Sequence, residues 1–132
     1  MSYLLDTDTC SAYIKGNPNV FKRFLQYGGR LYISTVTLGE LVTWALRAKA
    51  PPRRLHDVQD LLKLVIVLDV TQDVGWKFGE VEAGLLDAGT PAPDLDLVNG
   101  AVALVHNHTV VTQNAKDYEN IPGLTIENWS VP

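Results

Sequence analysis

One cysteine, Cys10, stands in 132 residues, so no internal disulfide can form, and neither a zinc ribbon nor a thioredoxin-like dithiol is available. No apolar run approaches the ~20 residues that a membrane-spanning helix needs, and the N-terminus has neither the basic start nor the long apolar stretch of a secretory signal. The expectation is a cytoplasmic protein with no membrane contact. Positive charge is also in short supply. With 11 Lys and Arg against 15 Asp and Glu the formal net charge is −4, so any polyanionic partner must be drawn by a local patch or a bound cation. Internal repeats, low-complexity tracts and dividing linkers are absent. What is present is an ordinary globular composition, 46% hydrophobic and 20% charged, at a length that suits one domain over residues 1–132.

Five short apolar runs read as strands: Tyr3 to Leu5, Leu31 to Ser34, Val65 to Val70, Thr109 to Thr112 and Leu124 to Glu127. Their hydrophobicity is nearly continuous rather than alternating, the mark of strands covered on both faces in a parallel sheet. Helical signals fill the gaps. Asn17-Pro18 reads as an N-cap with proline at the first helical position, opening a helix that stops at Gly28-Gly29. Thr37 opens a second helix toward Lys49; Pro51-Pro52 breaks it before another from about Arg54 to Leu64. Thr71 caps a long helix to Ala88 with Gly89 as its stop, and a last helix spans about Leu95 to Val105. Strands alternating with one or two helices predict a three-layer α/β/α sandwich around a central, mainly parallel sheet of about five strands.

Four acidic residues then take on meaning. Asp6 closes the first strand, and Glu40 lies in the first turn expected after the second. Asp96 lies in the first turn of the helix feeding the fourth strand, and Asp117 follows that strand within a few residues. In a parallel sheet all four reach the carboxyl-end rim, where open α/β sheets bind ligands. Whether they meet depends on strand order, which the pattern does not supply. If they meet, each pair of charges ~4 Å apart repels by roughly 4 kcal/mol at an effective dielectric of 20, and a divalent cation is the obvious compensation. Ligands that are all oxygen favour Mg²⁺ or Mn²⁺ over zinc, and such sites commonly hydrolyse bonds at phosphorus.

Bland readings compete at each position. Glu40 follows Thr37 by three residues, so Thr37-Leu38-Gly39-Glu40 fits a capping box. Asp96 could merely favour its helix N-terminus, and Asp117 could be a solvated turn residue. Asp6 is harder to explain away, since an acid directly ending an apolar strand must be satisfied at a partly buried edge. The joint placement on one rim favours a site.

Several segments together resemble a known pattern: Leu4-Leu5-Asp6-Thr7-Asp8; Ile33-Ser34-Thr35-Val36-Thr37-Leu38-Gly39-Glu40-Leu41; Gly89-Thr90-Pro91 running into Asp96-Leu97-Val98; Val110-Val111-Thr112-Gln113-Asn114-Ala115-Lys116-Asp117-Tyr118; and the closing Ile121-Pro122-Gly123-Leu124 and Glu127-Asn128-Trp129. Over nearly the whole chain this set resembles the PIN-domain ribonucleases, specifically the VapC-type toxins of bacterial toxin-antitoxin pairs. The resemblance implies a PIN-like sheet and an acidic pocket binding Mg²⁺ or Mn²⁺. It also implies metal-dependent endoribonuclease activity on single-stranded or loop RNA, with tRNA, initiator tRNA in particular, a frequent target in the nearest subgroup. In that family Asp6 and Asp96 would be the principal metal ligands, Glu40 would complete the pocket, and Asp117 would bind a second metal or its water. Thr7, Thr112 and Asn114 would give polar support. Partners would be the RNA, a cognate VapB-type antitoxin and a second toxin chain in a homodimer.

The chain departs from the family at Asp8, where asparagine is common, and at Asp94, an extra acid near Asp96; each could be a ligand, a cap or a solvated charge. Asn99-Gly100 replaces the usual apolar-Ala stretch, which would loosen helix packing there. Asn114 stands where some relatives carry an acid, weakening the case for a second metal. His56, His106 and His108 are not needed for the chemistry, and the string His106-Asn107-His108 is not the nuclease motif of that name. Arg47, Lys49, Arg53 and Arg54 cluster at the Pro51-Pro52 break, and could contact RNA phosphates or form a solvated helix end. The N-terminal helices with Trp44 could meet a dimer mate or antitoxin. Two other readings stand beside the nuclease. One is a catalytically silent PIN-like module that binds RNA or protein; the other is a phosphate-accepting receiver domain, disfavoured because Thr7 separates the first two acids and Glu40 has no receiver counterpart.

Overall fold

Leu4 points one way and Tyr3 and Leu5 the other, yet all three are buried, as are Thr109, Val110 and Val111; the expectation of strands covered on both faces fails at the sheet's edges, where Ile66 and Val67 are exposed and Ile126 and Glu127 are half-buried. The computed structural model describes residues 1–132. Its chain order is β1 (Tyr3–Leu5), α1 (Thr7–Ile14), α2 (Pro18–Gln26), β2 (Leu31–Ser34), α3 (Thr35–Leu46), α4 (Arg54–Leu62), β3 (Ile66–Leu68), α5 (Gln72–Ala88), α6 (Asp94–His106), β4 (Thr109–Val111), a 3-10 turn (Ala115–Asp117) and β5 (Ile126–Glu127). All neighbouring strands are parallel, in the order β3-β2-β1-β4-β5.

Alternate strand residues feed two separate cores, which makes the predicted three-layer sandwich concrete. Tyr3, Leu5, Leu31, Ile33 and Val111 pack with Cys10 of α1, Phe24 of α2, Leu41 of α3 and Leu61 of α4. Leu4, Tyr32 and Val110 pack with Val74 and Leu85 of α5 and with Leu97, Ala101 and Val102 of α6. The strand order differs from the 2-1-3-4-5 order of flavodoxin-like receivers, which removes that reading. No helix is long and apolar enough to cross a membrane.

Local chemistry explains most boundaries. Asn17 accepts hydrogen bonds from the backbone N–H groups of Asn19 and Val20 and caps α2 as expected. Thr71 accepts from Val74 N, and Gly89 ends α5 at φ 71°, a left-handed position suited to glycine. Three expectations need correction. Helix α1 was not anticipated. Helix α3 starts at Thr35, capped by Ser34, whose hydroxyl accepts from Thr37 N, and it ends at Leu46 rather than near Lys49. Glu40 therefore lies beyond the first turn, and the Thr37–Glu40 capping box does not form. The third and fifth strands are shorter than the apolar runs, because only Ile66–Leu68 and Ile126–Glu127 find ladder partners.

Candidate active site

The topology turns at β1. The chain lays β2 and β3 on one side of it and returns to place β4 on the other, so β1 and β4 flank the switch point at which open α/β sheets bind ligands. Asp6 leaves β1 there and is 8% exposed. One of its oxygens caps α1 by accepting from Thr7 N at 2.8 Å, and the other accepts from the Thr112 hydroxyl, just past β4, at 3.0 Å. The acid that ends the strand is thus also the N-cap of the next helix, and both oxygens are held.

Asp96, in the first turn of α6, is brought to the same rim. Burial, the charge of Asp6 and the proximity of Asp117, in that order, push its carboxyl up to about 7, well above the usual carboxylate range. The Tyr118 hydroxyl donates to Asp96 at 3.3 Å. Burial first, then Asp6 and Asp96, raise the Tyr118 phenol, so it stays a neutral donor aimed at the acids. Asp6 and Asp117 therefore both bear on Asp96. Glu40 joins them indirectly, since its carboxylate accepts from the Thr7 hydroxyl at 2.6 Å. No three acidic, His or Cys side chains stand in a geometry that encloses a metal ion, so the expected four-acid ligand shell is a gathered rim rather than a closed cage. The donor chemistry nevertheless fits a hard divalent cation: three carboxylates of like charge, no thiol or imidazole among them, one of which, Asp96, is raised by burial first and then by the charges of Asp6 and Asp117.

The supporting residues come in through Asp8. Its carboxylate accepts from Gln113 N at 3.0 Å, from the Asn114 amide at 3.1 Å and from the Thr112 hydroxyl at 3.3 Å. Burial first, and then Asp6, raise its carboxyl. Asp8 is therefore neither a helix cap nor a solvated charge; it fastens the exit of β4 to α1. Asn114 donates to it, which places that amide in support. Asp94 is exposed at the start of α6. The histidines lie elsewhere: His56 is paired with Asp60 on exposed α4, and His106 and His108 flank the turn from α6 into β4, at the opposite edge of the sheet. Arg47, Lys49 and Arg54 gather beyond the C-terminal end of α3, whereas Arg53 is tied to Asp57 at 3.1 Å.

Sequence reasoning assigned no role to two features of the site. One is Tyr118, whose position directly after Asp117 was the available signal. The other is a buried polar ring. The Ser34 hydroxyl donates to Asn99 Oδ1, Asn99 Nδ2 donates to the Thr37 hydroxyl at 3.3 Å, and Thr37 N donates to Ser34 at 3.2 Å. Asn99 is 2% exposed, and a Cβ at Gly100 would stand 2.7 Å from Ile121 Cδ1. The Asn99-Gly100 pair thus does not loosen packing; it locks α6 to α3 and lets the segment after the 3-10 turn approach closely. Asn99→Ala would leave two buried hydroxyls short of a partner and should lower the unfolding free energy by ~1–3 kcal/mol, read as an earlier urea midpoint with an unchanged slope. An unchanged midpoint would remove the ring from the account.

The family model described as "PIN domain" matches residues 3–124. The curated tRNA(fMet)-specific endonuclease VapC of Salmonella typhimurium is 35% identical, with 98% of each chain covered. The protein of the same name from Shigella flexneri is 31% identical over 98% of this chain and 99% of that one. Among solved structures, DNA-bound VapBC from Salmonella typhimurium superposes with a TM-score of 0.91 at 35% identity, covering 98% of both chains. VapBC2 from Rickettsia felis, bound to a promoter DNA fragment, gives 0.90 at 26% identity, covering 98% of this chain and 99% of that one. With a family match over nearly its full length and VapC proteins as its full-length relatives, the chain belongs to the PIN-domain family.

Proposed function

We propose that this chain is a metal-dependent endoribonuclease of the VapC type, a toxin that hydrolyses phosphodiester bonds in RNA in the cytoplasm and is silenced by a VapB-type antitoxin. Initiator tRNA is the first substrate to test, because the 35%-identical relative is a tRNA(fMet)-specific endonuclease. The observation that carries the reading is the gathering of Asp6 and Asp117 around the half-buried Asp96 at the switch point. A module that only binds has no use for carboxylates that repel one another, and the rim would be more stable without them.

In this reading Asp6, Asp96 and Asp117 hold Mg²⁺ or Mn²⁺, with Glu40 beside them. The ion, when bound, supplies activated water and stabilises charge on the attacking and leaving oxygens. The chain supplies the positioning. Thr7 N and Thr112 fix both oxygens of Asp6, the neutral Tyr118 hydroxyl orients Asp96, and Asp8 fixes the loop that carries Asp117. The N-terminal ends of α1 and α6 both face the rim and favour negative charge there, by about 0.3–1 kcal/mol each. No histidine is asked to move a proton.

Partner contacts are proposed in the same terms. Solved relatives are VapBC complexes, and this chain exposes apolar residues suited to protein partners: Phe21 and Leu25 on α2 beside a ~370 Å³ groove, and Trp76 and Leu86 on α5. A homodimer and an antitoxin complex would each cover such surface.

The test is cleavage of total bacterial RNA and of initiator tRNA by antitoxin-free protein, with the new ends sequenced. Mg²⁺ or Mn²⁺ should support discrete cuts, EDTA should abolish them, and excess metal should restore them. Cuts that persist in EDTA would remove the metal from the mechanism. No cutting by folded, metal-loaded protein would move the assignment to the silent binding module.

A further inference from the structure

Helices α1 and α3 run side by side away from the acidic rim, as contacts at both ends show. Thr7 donates to Glu40 near the rim, and Lys15, the C-cap of α1, places its ammonium 5.7 Å from the centre of the Trp44 ring of α3. Glu40, Trp44 and Arg47 are spaced i, i+4, i+7 and so share one face of α3. Arg54 lays its guanidinium 4.0 Å from the centre of the Trp44 ring. Trp44, Arg47, Lys49 and Arg54 line a ~420 Å³ recess.

What sets this recess apart is that unpaired cations gather around one ring. Of the lysines and arginines, Arg53, Lys63 and Lys77 have carboxylate partners. Lys15, Arg47, Lys49 and Arg54 have none; Lys15 and Arg54 stand over the Trp44 ring, and Arg47 and Lys49 line the recess beside it, in a protein of net charge −4. Unpaired cations repel one another, and an anion between them relieves that repulsion. The stacked guanidinium also presents a flat outer face, on which a nucleobase can stack. From Glu40 to Trp44 is four helical rises, about 6 Å, or about two stacked base steps at ~3.4 Å each, and Arg47 caps the helix one turn further on.

We propose that the Trp44 recess is a second RNA subsite, in which Arg47, Lys49 and Lys15 hold backbone phosphates and the Arg54–Trp44 stack receives a base, about two base steps along the seam from Glu40. This inference rests on the ribonuclease reading and adds to it where the strand runs: from the acidic rim along the α1–α3 seam. It also resolves how an acidic protein holds a polyanion. The cations are local and sit on one side of the scissile site.

Steady-state cleavage of initiator tRNA and salt-dependent binding of the same tRNA and of a short oligouridylate test it. Arg47→Ala/Lys49→Ala changes only exposed residues and should preserve the fold. KM should rise about tenfold with kcat within twofold. In an Asp96→Asn background the slope of log K against log salt should become shallower by about 1.4–1.8, two contacts at ~0.7–0.9 each. Arg54→Lys keeps the charge and removes the stacking plane, so it should weaken binding with the slope retained. If the parent protein cuts RNA and the double variant leaves KM and slope unchanged, the subsite is wrong and the nuclease reading survives. Weakened binding of a polyglutamate peptide with RNA binding intact would likewise overturn the subsite and assign the recess to an acidic protein segment. If the parent neither binds nor cuts RNA, both readings fall together.

Discussion

Asp96→Asn should lower RNA cleavage by at least about a hundredfold, while above about pH 7 the metal-free variant melts at a higher temperature than the parent. The two effects have one cause. Asp96 is the carboxyl on which burial, Asp6 and Asp117 all act, so in the folded chain it keeps a proton up to about 7. An unfolded chain releases that proton near the ordinary Asp value of ~4. Between those limits the native state binds the extra proton, so stability falls as pH rises from about 4 to about 7 and stays lower above. An amide has no proton to release there, and its oxygen still accepts from Tyr118 in place of the Asp96 oxygen bonded at 3.3 Å. The melting temperatures of parent and variant should therefore diverge through that window and converge below about pH 4. Added Mg²⁺ or Mn²⁺ should raise the parent's melting temperature and leave the variant's nearly unmoved, because a ligand stabilises only the form that binds it. A variant that cuts RNA like the parent would remove Asp96 from the site. A variant no more stable at pH 8 than at pH 4 relative to the parent would remove the account of Asp96 as a carboxyl raised by burial and by its acidic neighbours.

The sequence pattern reached the rim but not the convergence. That each acid lies at the carboxyl end of the sheet follows from the connection rules of parallel strands, whatever their order. That Asp6 and Asp117 both bear on Asp96 depends on β4 lying beside β1, a long-range fact with no local signal. Helix α1 was illegible for a different reason. Thr7, Asp8, Thr9, Cys10 and Ser11 are weak helix formers that favour caps and turns, and the helix is held by the Asp6 cap and by burial of Thr9 and Cys10. At α3 two hydroxyl residues three positions apart could each have capped the helix. Ser34 does so because it ends a buried strand with its hydroxyl already in the polar ring. Asn99 was misread on family likeness: a polar residue among apolar neighbours suggests loosening until its two partners, 65 and 62 positions away, are located. Strands β1 and β4, buried on both faces, by contrast, announce themselves, and the sandwich was legible from apolar runs alternating with helices, although the edge strand β3 leaves Ile66 and Val67 exposed.

Trp129→Ala should destabilise the chain by about 3–5 kcal/mol and lower its melting temperature by on the order of 10–15 °C. The family match ends at residue 124, so Trp129 lies outside it, yet Trp129 is 1% exposed and belongs to the core on the α1–α4 side. Its ring centroid lies 5.0 Å from that of Tyr3 at an interplanar angle of 62°, 5.6 Å from that of Tyr27 and 6.4 Å from that of Phe24. Its indole N–H donates to Glu127 at 3.0 Å, which satisfies the one polar group such burial would otherwise strand. Deleting the indole opens a cavity bounded by rings from β1, α2 and the turn before β2, and rigid rings collapse poorly into the space. The short strand β5, with two residues in its ladder, has little else to hold its end in place. Trp76, 69% exposed on α5, is the matched control: its replacement by Ala should shift stability by no more than about 0.5 kcal/mol. Chemical denaturation of both variants separates two views of the last eight residues. A large loss at Trp129 with a small one at Trp76 makes the C-terminal segment part of the folded unit, so that residues 1–132 unfold as one domain. Equal small losses would make the segment an appendage and confine the cooperative unit to the matched region.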